Sequence, residues 1–241
     1  MKSLPHPALA LSLGPLLANA LGFGIGSPLL LPFLGAVIAI PYFWKYVLGA
    51  EPGRGFLWML FWAFFQSVAL WILITLSPER AATVVHNGVP YAEEMMHWIR
   101  TGEGAEGSPR LFLPVHVRHF LGFCVLSIAT VGSAGLVLGT WLLNYMNYYV
   151  VQVVSQSTNA LQASLLAWHP WAIIRVVGFI ATAVALAPLG MRIWGKLTKR
   201  PARRPAWKYF GIGLGLVLVD ALLKTILAPT WQKLLKSLLS T

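Results

Sequence analysis

Two glutamates and three histidines sit where a metal could use them. Glu94 and His97 are three residues apart, and so are His116 and His119, with Glu93 next to the first pair. On a helix that spacing puts each pair on one face. Glu-x-x-His and His-x-x-His supply the ligand types that a zinc or two-metal centre needs. Three of the six histidines fall between 93 and 119. No His-Glu-x-x-His run is present, however. Wet loops collect polar residues without any metal, so no resident cofactor is expected. A metal on Glu94, His97, His116 and His119 is the alternative.

A second set lies in apolar sequence: Arg175, Asp220 and Lys224. An ionised side chain in hydrocarbon costs about 2.5–3.5 kcal/mol on insertion scales, so such residues need partners. Asp220 and Lys224 share a helix face, and Arg175 lies on the preceding apolar segment. Arg175 with Asp220 is the expected interhelical pair, either a structural lock or part of a transport path. Lys224 is expected to snorkel to the interface. The run Gly102-Glu103-Gly104-Ala105-Glu106-Gly107 lacks the strand and the Lys-Ser/Thr of a phosphate loop, and reads as a flexible turn. Asn144 and Asn147 lie among Tyr145, Tyr148 and Tyr149, which reads as an interfacial aromatic belt.

The elements that must carry these residues are helices in a bilayer. Hydrophobic residues make up 57% of the 241 and charged ones 10%, against roughly a quarter charged in soluble domains. Full-length apolar segments run at about 28–48, 56–76, 116–132, 136–154, 166–190 and 208–228, with a shorter one at about 8–22. The continuous run from 116 to 154 is too long for one crossing, since a span takes roughly 20 residues. Gly132, Ser133, Ala134 and Gly135 mark its break. The fold class is therefore all-α: a polytopic integral membrane protein of about seven transmembrane helices in a single membrane domain. Six, with a re-entrant or interfacial N-terminal segment, is the alternative. Lys2 and the apolar 8–21 resemble a signal peptide, but more apolar sequence follows, so a retained first segment is expected.

Charge orients the chain. Arg192, Lys196, Lys199, Arg200, Arg203, Arg204 and Lys208 form a basic loop over 192–207 and its edge, expected in the cytoplasm. Five of the seven acidic residues lie in 77–115, an external loop with a short amphipathic helix at 91–100. Parity then gives a cytoplasmic N-terminus and an external C-terminus in the inner (cytoplasmic) membrane. Pro229 is expected to end the last span, leaving 230–241 as an interfacial helix with Trp231, Leu234, Leu235, Leu238 and Leu239 on one face. The net charge of +11 suits anionic lipid, and the basic run belongs to no nucleic-acid fold, so nucleic acid is not an expected partner. One cysteine, Cys124, excludes an intramolecular disulfide.

The half from 116 onward resembles the stage II sporulation protein M family. The likeness is one of order: a paired-helix run over 119–154 with a Gly-rich middle and Asn144 and Asn147 at its end, then a polar connection. A span opened by His169-Pro170 and a basic loop follow. Asp220 precedes Ala228-Pro229-Thr230-Trp231-Gln232-Lys233 at the end. Residues 1–55 depart from the pattern. The resemblance implies a non-enzymatic membrane component working in a complex.

No segment carries a catalytic signature. The first reading is a non-catalytic scaffold or complex subunit, whose partners are the bilayer, other membrane proteins or a second copy in a homo-oligomer. Met96 and Trp98 are its expected partner contacts. The second is a transporter or permease subunit using Arg175 and Asp220. The third is a membrane metalloenzyme with the external His/Glu site.

Overall fold

A computed structural model describes residues 4–49, 51–198 and 204–239. Lys2, most of the basic loop's centre (199–203) and the last two residues of the expected tail lie outside them. The chain is all-α, 85% helical, with eleven α-helices among the described residues. Five helices are long and apolar enough to cross a membrane: α1 (Pro7–Ile25), α4 (Pro52–Leu76), α7 (Pro109–Ala129), α10 (Pro170–Thr198) and α11 (Trp207–Lys236). A sixth crossing would be a bent pair, α2 (Leu30–Val37) with α3 (Ile40–Phe43) and a π-turn (Trp44–Leu48), kinked by 43°. Pro41 opens α3 and denies the ladder a donor there. Large apolar side chains face outward, among them Leu17, Leu29, Phe64, Val125 and Leu218, as suits a lipid-facing rather than a water-facing surface.

The expected seventh crossing is not among these. α8 (Ser133–Ser155) is 23 residues long but diluted in hydropathy by its asparagines and tyrosines. Those residues form no interfacial belt: Asn144, Asn147, Tyr148 and Tyr149 are buried inside the bundle. Asn144 accepts from Gln66 Nε2 at 3.4 Å, and Gln66 exchanges two amide hydrogen bonds with Asn19 at 3.0 and 3.2 Å. An uncharged amide cluster thus ties α8 to α4 and α1, where apolar surroundings leave such groups no other partner.

Pro52, Pro78, Pro109 and Pro170 each open a helix, at the position where a missing N–H costs nothing. Pro109 lengthens α7 beyond expectation, so His116 and His119 lie within the helix and not at its entrance. Pro170 sets the start of α10 four residues later than expected, and the stretch from 166 gives way to a separate helix, α9 (Ala160–Ala167). Asn159 caps it by accepting from Gln162 N–H at 3.1 Å. The expected interfacial helix after Pro229 is not separate either, because α11 runs through Pro229 to Lys236. Trp231 Nε1 donates to Leu166 O at 2.8 Å and Gln232 Nε2 to Ile99 O at 2.6 Å, and these bonds hold the last turns in line.

Contacts sort the ends of the bundle. One end gathers α5 (Pro78–Val84), α6 (Gly88–Thr101), α9 and the C-terminal turns of α11, with Arg80 Nε bonded to Phe23 O at 2.8 Å. The other gathers the start of α1, the π-turn and the α7–α8 turn: Tyr42 Oη donates to Pro5 O and Trp44 Nε1 to Val131 O. Tyr209 at the start of α11 packs on Phe56 there, at 5.6 Å between rings. α10 and α11 pack closely because Gly178 and Gly213 face each other.

Candidate functional site

A buried ionic network lies toward the acid-rich end. Arg175, five residues into α10, grips Asp220 of α11 with Nε on Oδ2 at 2.9 Å and Nη2 on Oδ1 at 3.1 Å. This fork-on-fork geometry is the strongest form of such a pair. Lys224, one turn further along α11, does not snorkel. Its ammonium donates to Glu106 Oε2 at 2.7 Å and lies 4.4 Å from the Phe112 ring centre. Trp171 Nε1 donates to Glu106 Oε1 at 2.8 Å. His169 stacks on Trp171 with ring centres 4.6 Å apart, and shares a 3.3 Å hydrogen bond with Tyr149.

Glu106 was absent from the sequence-derived candidates. The turn expected to be flexible carries it on a 3-10 turn (Ala105–Gly107) into the bundle, where it is buried. A carboxylate amid glycines just before a proline-opened apolar helix, with an unpartnered lysine in a later span, was the available signal. Burial alone would push this carboxyl up. The Lys224 ammonium, with His169, overrides that and holds it below the ordinary carboxylate range. Burial pushes the His169 imidazole down to about 4, with Glu106 opposing and Lys224 and Arg175 assisting. Burial also raises the Tyr91 phenol well above its usual value, helped by Glu106.

Two cavities flank Arg175. The inner one, about 70 Å³, lies between α4, α7, α8, α10 and α11. Its wall is apolar except at one side, where Tyr91, His116, His119, Tyr145, Arg175 and Asp220 converge. The outer one, about 340 Å³, opens between α6, α7 and α8, with Glu94, Glu106, Arg118 and Lys224 in its lining. Both share Tyr91, His116, His119, Leu142, Tyr145 and Arg175. His116 approaches Asp220 only to 3.6 Å, and its Nδ1 is buried without a hydrogen-bond partner among the described residues.

The alternative, a metal on Glu94, His97, His116 and His119, does not assemble. Glu94, His116 and His119 line the outer cavity, but His97 faces a separate groove with Tyr148 and Gln152. Among the described residues no group of three or more His, Cys, Asp or Glu side chains could hold a metal ion. Met96 and Trp98 are not an exposed contact surface either. They are buried with Met95 and Ile99 in the chain's own core, against α8 and α11, because the apolar face of α6 turns inward. Chemically, the arrangement can bind and orient a polar group beside Arg175. No protein-family model, no curated protein and no solved structure matches the chain.

Proposed function

We propose that the protein is a non-enzymatic, polytopic protein of the cytoplasmic membrane that holds a small molecule beside Arg175 and Asp220, as a permease or permease subunit does. One observation carries this reading: Arg175 and Asp220 form part of the wall of a cavity inside the helical bundle, and a second cavity continues from it toward the acid-rich end. A pure lock would pack solid around its charges.

In this reading the chain crosses seven times, through α1, the bent α2–α3 pair, α4, α7, α8, α10 and α11. The N-terminus and the basic loop 192–207 are cytoplasmic, and the acidic segment and C-terminus are external. Support comes from the alternation of helix directions between the two ends and from the basic residues at the end opposite α6. Leu142, which lines both cavities, is the test position. In a Cys124→Ala background, Leu142→Cys should react with a small membrane-impermeant thiol reagent added outside intact cells. No reaction there, with a surface control at Glu103→Cys labelled, refutes the reading.

A scaffold or complex subunit is the second reading. It is favoured by the neutrality of the network, in which Glu106 and Asp220 each have a basic partner. The resemblance to stage II sporulation protein M accords with it. A partner that co-purifies in mild detergent, together with an inert Leu142→Cys, would select it.

A further inference from the structure

A third cavity opens the site sideways. A groove of about 610 Å³ runs between α4, α8, α9 and α10, faced by Phe64, Val68, Trp71 and Ile173. These side chains are exposed on the bundle's outer surface, where the proposed topology has hydrocarbon. The groove meets the inner cavity at Ala63, Leu143, Trp168 and Val176, which line both. Groove, inner cavity and outer cavity therefore follow one another, from the bilayer-facing side to the polar end. The inner cavity is the narrow part: about 70 Å³ is room on the order of five water molecules. A head group or a single chain fits there, and two chains abreast do not.

Two buried polar atoms face this path without partners. Asn147 lines the groove and is 1% exposed. Its Nδ2 donates to Leu143 O at 2.9 Å, and its Oδ1 is unbonded among the described residues. His116 lines both inner and outer cavities, its side chain 10% exposed and its Nδ1 unbonded. An unpaired polar atom in such surroundings costs free energy that a ligand can recover. The network is neutral overall, and the hydrogen-bonding capacity it leaves over at the polar waist is that of donors. Asp220 is occupied by two guanidinium bonds, and Glu106 by an ammonium and an indole. Arg175 keeps its other terminal nitrogen, and His119 stands beside it. At the mouth, Glu94 and Arg118 are both exposed and offset each other.

We propose that the site takes a single-chain amphiphile with an acidic head, a carboxylate or a phosphate. The molecule enters laterally between α4 and α10. Its head lodges at Arg175, His116 and His119, and its chain lies along the apolar groove past Asn147. This rests on the permease reading and names its substrate class.

The test uses the full chain in nanodiscs of phosphatidylcholine. Three tagged sixteen-carbon probes, each with a photoreactive diazirine at the chain end, carry a carboxylate, a monoalkyl phosphate or a neutral alcohol as head. Irradiation followed by peptide mass spectrometry maps the labelled residues. The proposal expects an acid-headed probe to label the groove around Phe64, Trp71 and Ile173 at least about tenfold more than the alcohol. Which acid prevails distinguishes a fatty acid from a lipid phosphate. Gly139→Leu should abolish that excess, because a side chain there points into the inner cavity, its Cβ meeting only Phe123 Cε2 at 3.7 Å. Ala63→Leu, at the junction of groove and cavity, is the second plug should the first variant fail to fold. Arg175→Gln with Asp220→Asn should remove the preference for an acidic head without stranding a charge. Equal labelling by all three probes, labelling spread over outward residues such as Leu17 and Val125, or indifference to both plugs overturns the proposal. If Leu142→Cys is still labelled from outside, the ligand class alone falls; if it is inert, the permease reading falls too.

Discussion

Removing the Glu106 carboxylate strands the Lys224 ammonium. That ammonium is 3% exposed, and its bond to Glu106 is 2.7 Å long. Losing one member of a buried ion pair costs about 3–5 kcal/mol. Trp171 Nε1 loses its acceptor as well, at about 1–3 kcal/mol for an unsatisfied buried donor. Glu106→Ala should therefore destabilise by at least about 4 kcal/mol, and Lys224→Met by at least about 3, since Glu106 would keep the indole. The double variant Glu106→Leu with Lys224→Met removes both charges together. It should lie within about 2 kcal/mol of the native chain, because an apolar pair replaces a buried ionic one at little cost. Reversible unfolding in mixed micelles, followed by tryptophan fluorescence, measures all three. The double-mutant cycle should give a coupling of about 5 kcal/mol or more. Single variants costing under about 1 kcal/mol, or effects that simply add, would refute the pairing.

Acidification should destabilise the fold. His169 is pushed down to about 4, so between that value and about 6.5 the unfolded chain binds a proton that the folded chain refuses. The contribution, about 3 kcal/mol, is full above pH ~6.5 and is lost as pH falls toward 4. Glu106 is also held low, so its contribution disappears on further acidification through its folded value. Melting temperatures from pH 7 to 4 should fall, and His169→Gln should flatten the upper part of that fall; a rise on acidification would contradict both assignments. At the α10–α11 contact, a Cβ on Gly213 would lie 2.8 Å from Gly178 O, whereas one on Gly211 or Gly215 would meet nothing within 4 Å. Gly213→Leu should cost about 2 kcal/mol or more in the same unfolding assay, and Gly211→Leu under about 0.5.

Local features of this fold were legible because they depend on near neighbours. The amphipathic pattern at 91–100 forms α6, Gly88–Thr101, with Gly102 at its left-handed C-cap, φ 83°. The small-residue break in the long apolar run falls at Thr130–Gly132, with Gly132 at φ 88° and Val131 at φ 55°. Arg175 and Asp220 were findable as the unlike charges of two adjacent apolar segments. The partner of Lys224 was not, because Glu106 lies 118 residues away in a stretch with loop composition. The inward face of α8 was hidden for a related reason. Asn144 meets Gln66 78 residues away, and Gln66 meets Asn19 47 residues away. No periodicity within one helix reveals such a meeting. Met96 and Trp98 misled because contact surfaces and cores draw on the same apolar residues, and the pattern of α6 does not say whether its partner is another chain or α8.

Native mass spectrometry of the chain released from detergent-free membrane vesicles reads the ligand at Arg175 directly. One small molecule should be bound per chain, and it should be lost in Gly139→Leu at unchanged melting temperature. A chain that carries no such molecule, or a Gly139→Leu variant that retains it, would contradict a ligand site beside Arg175.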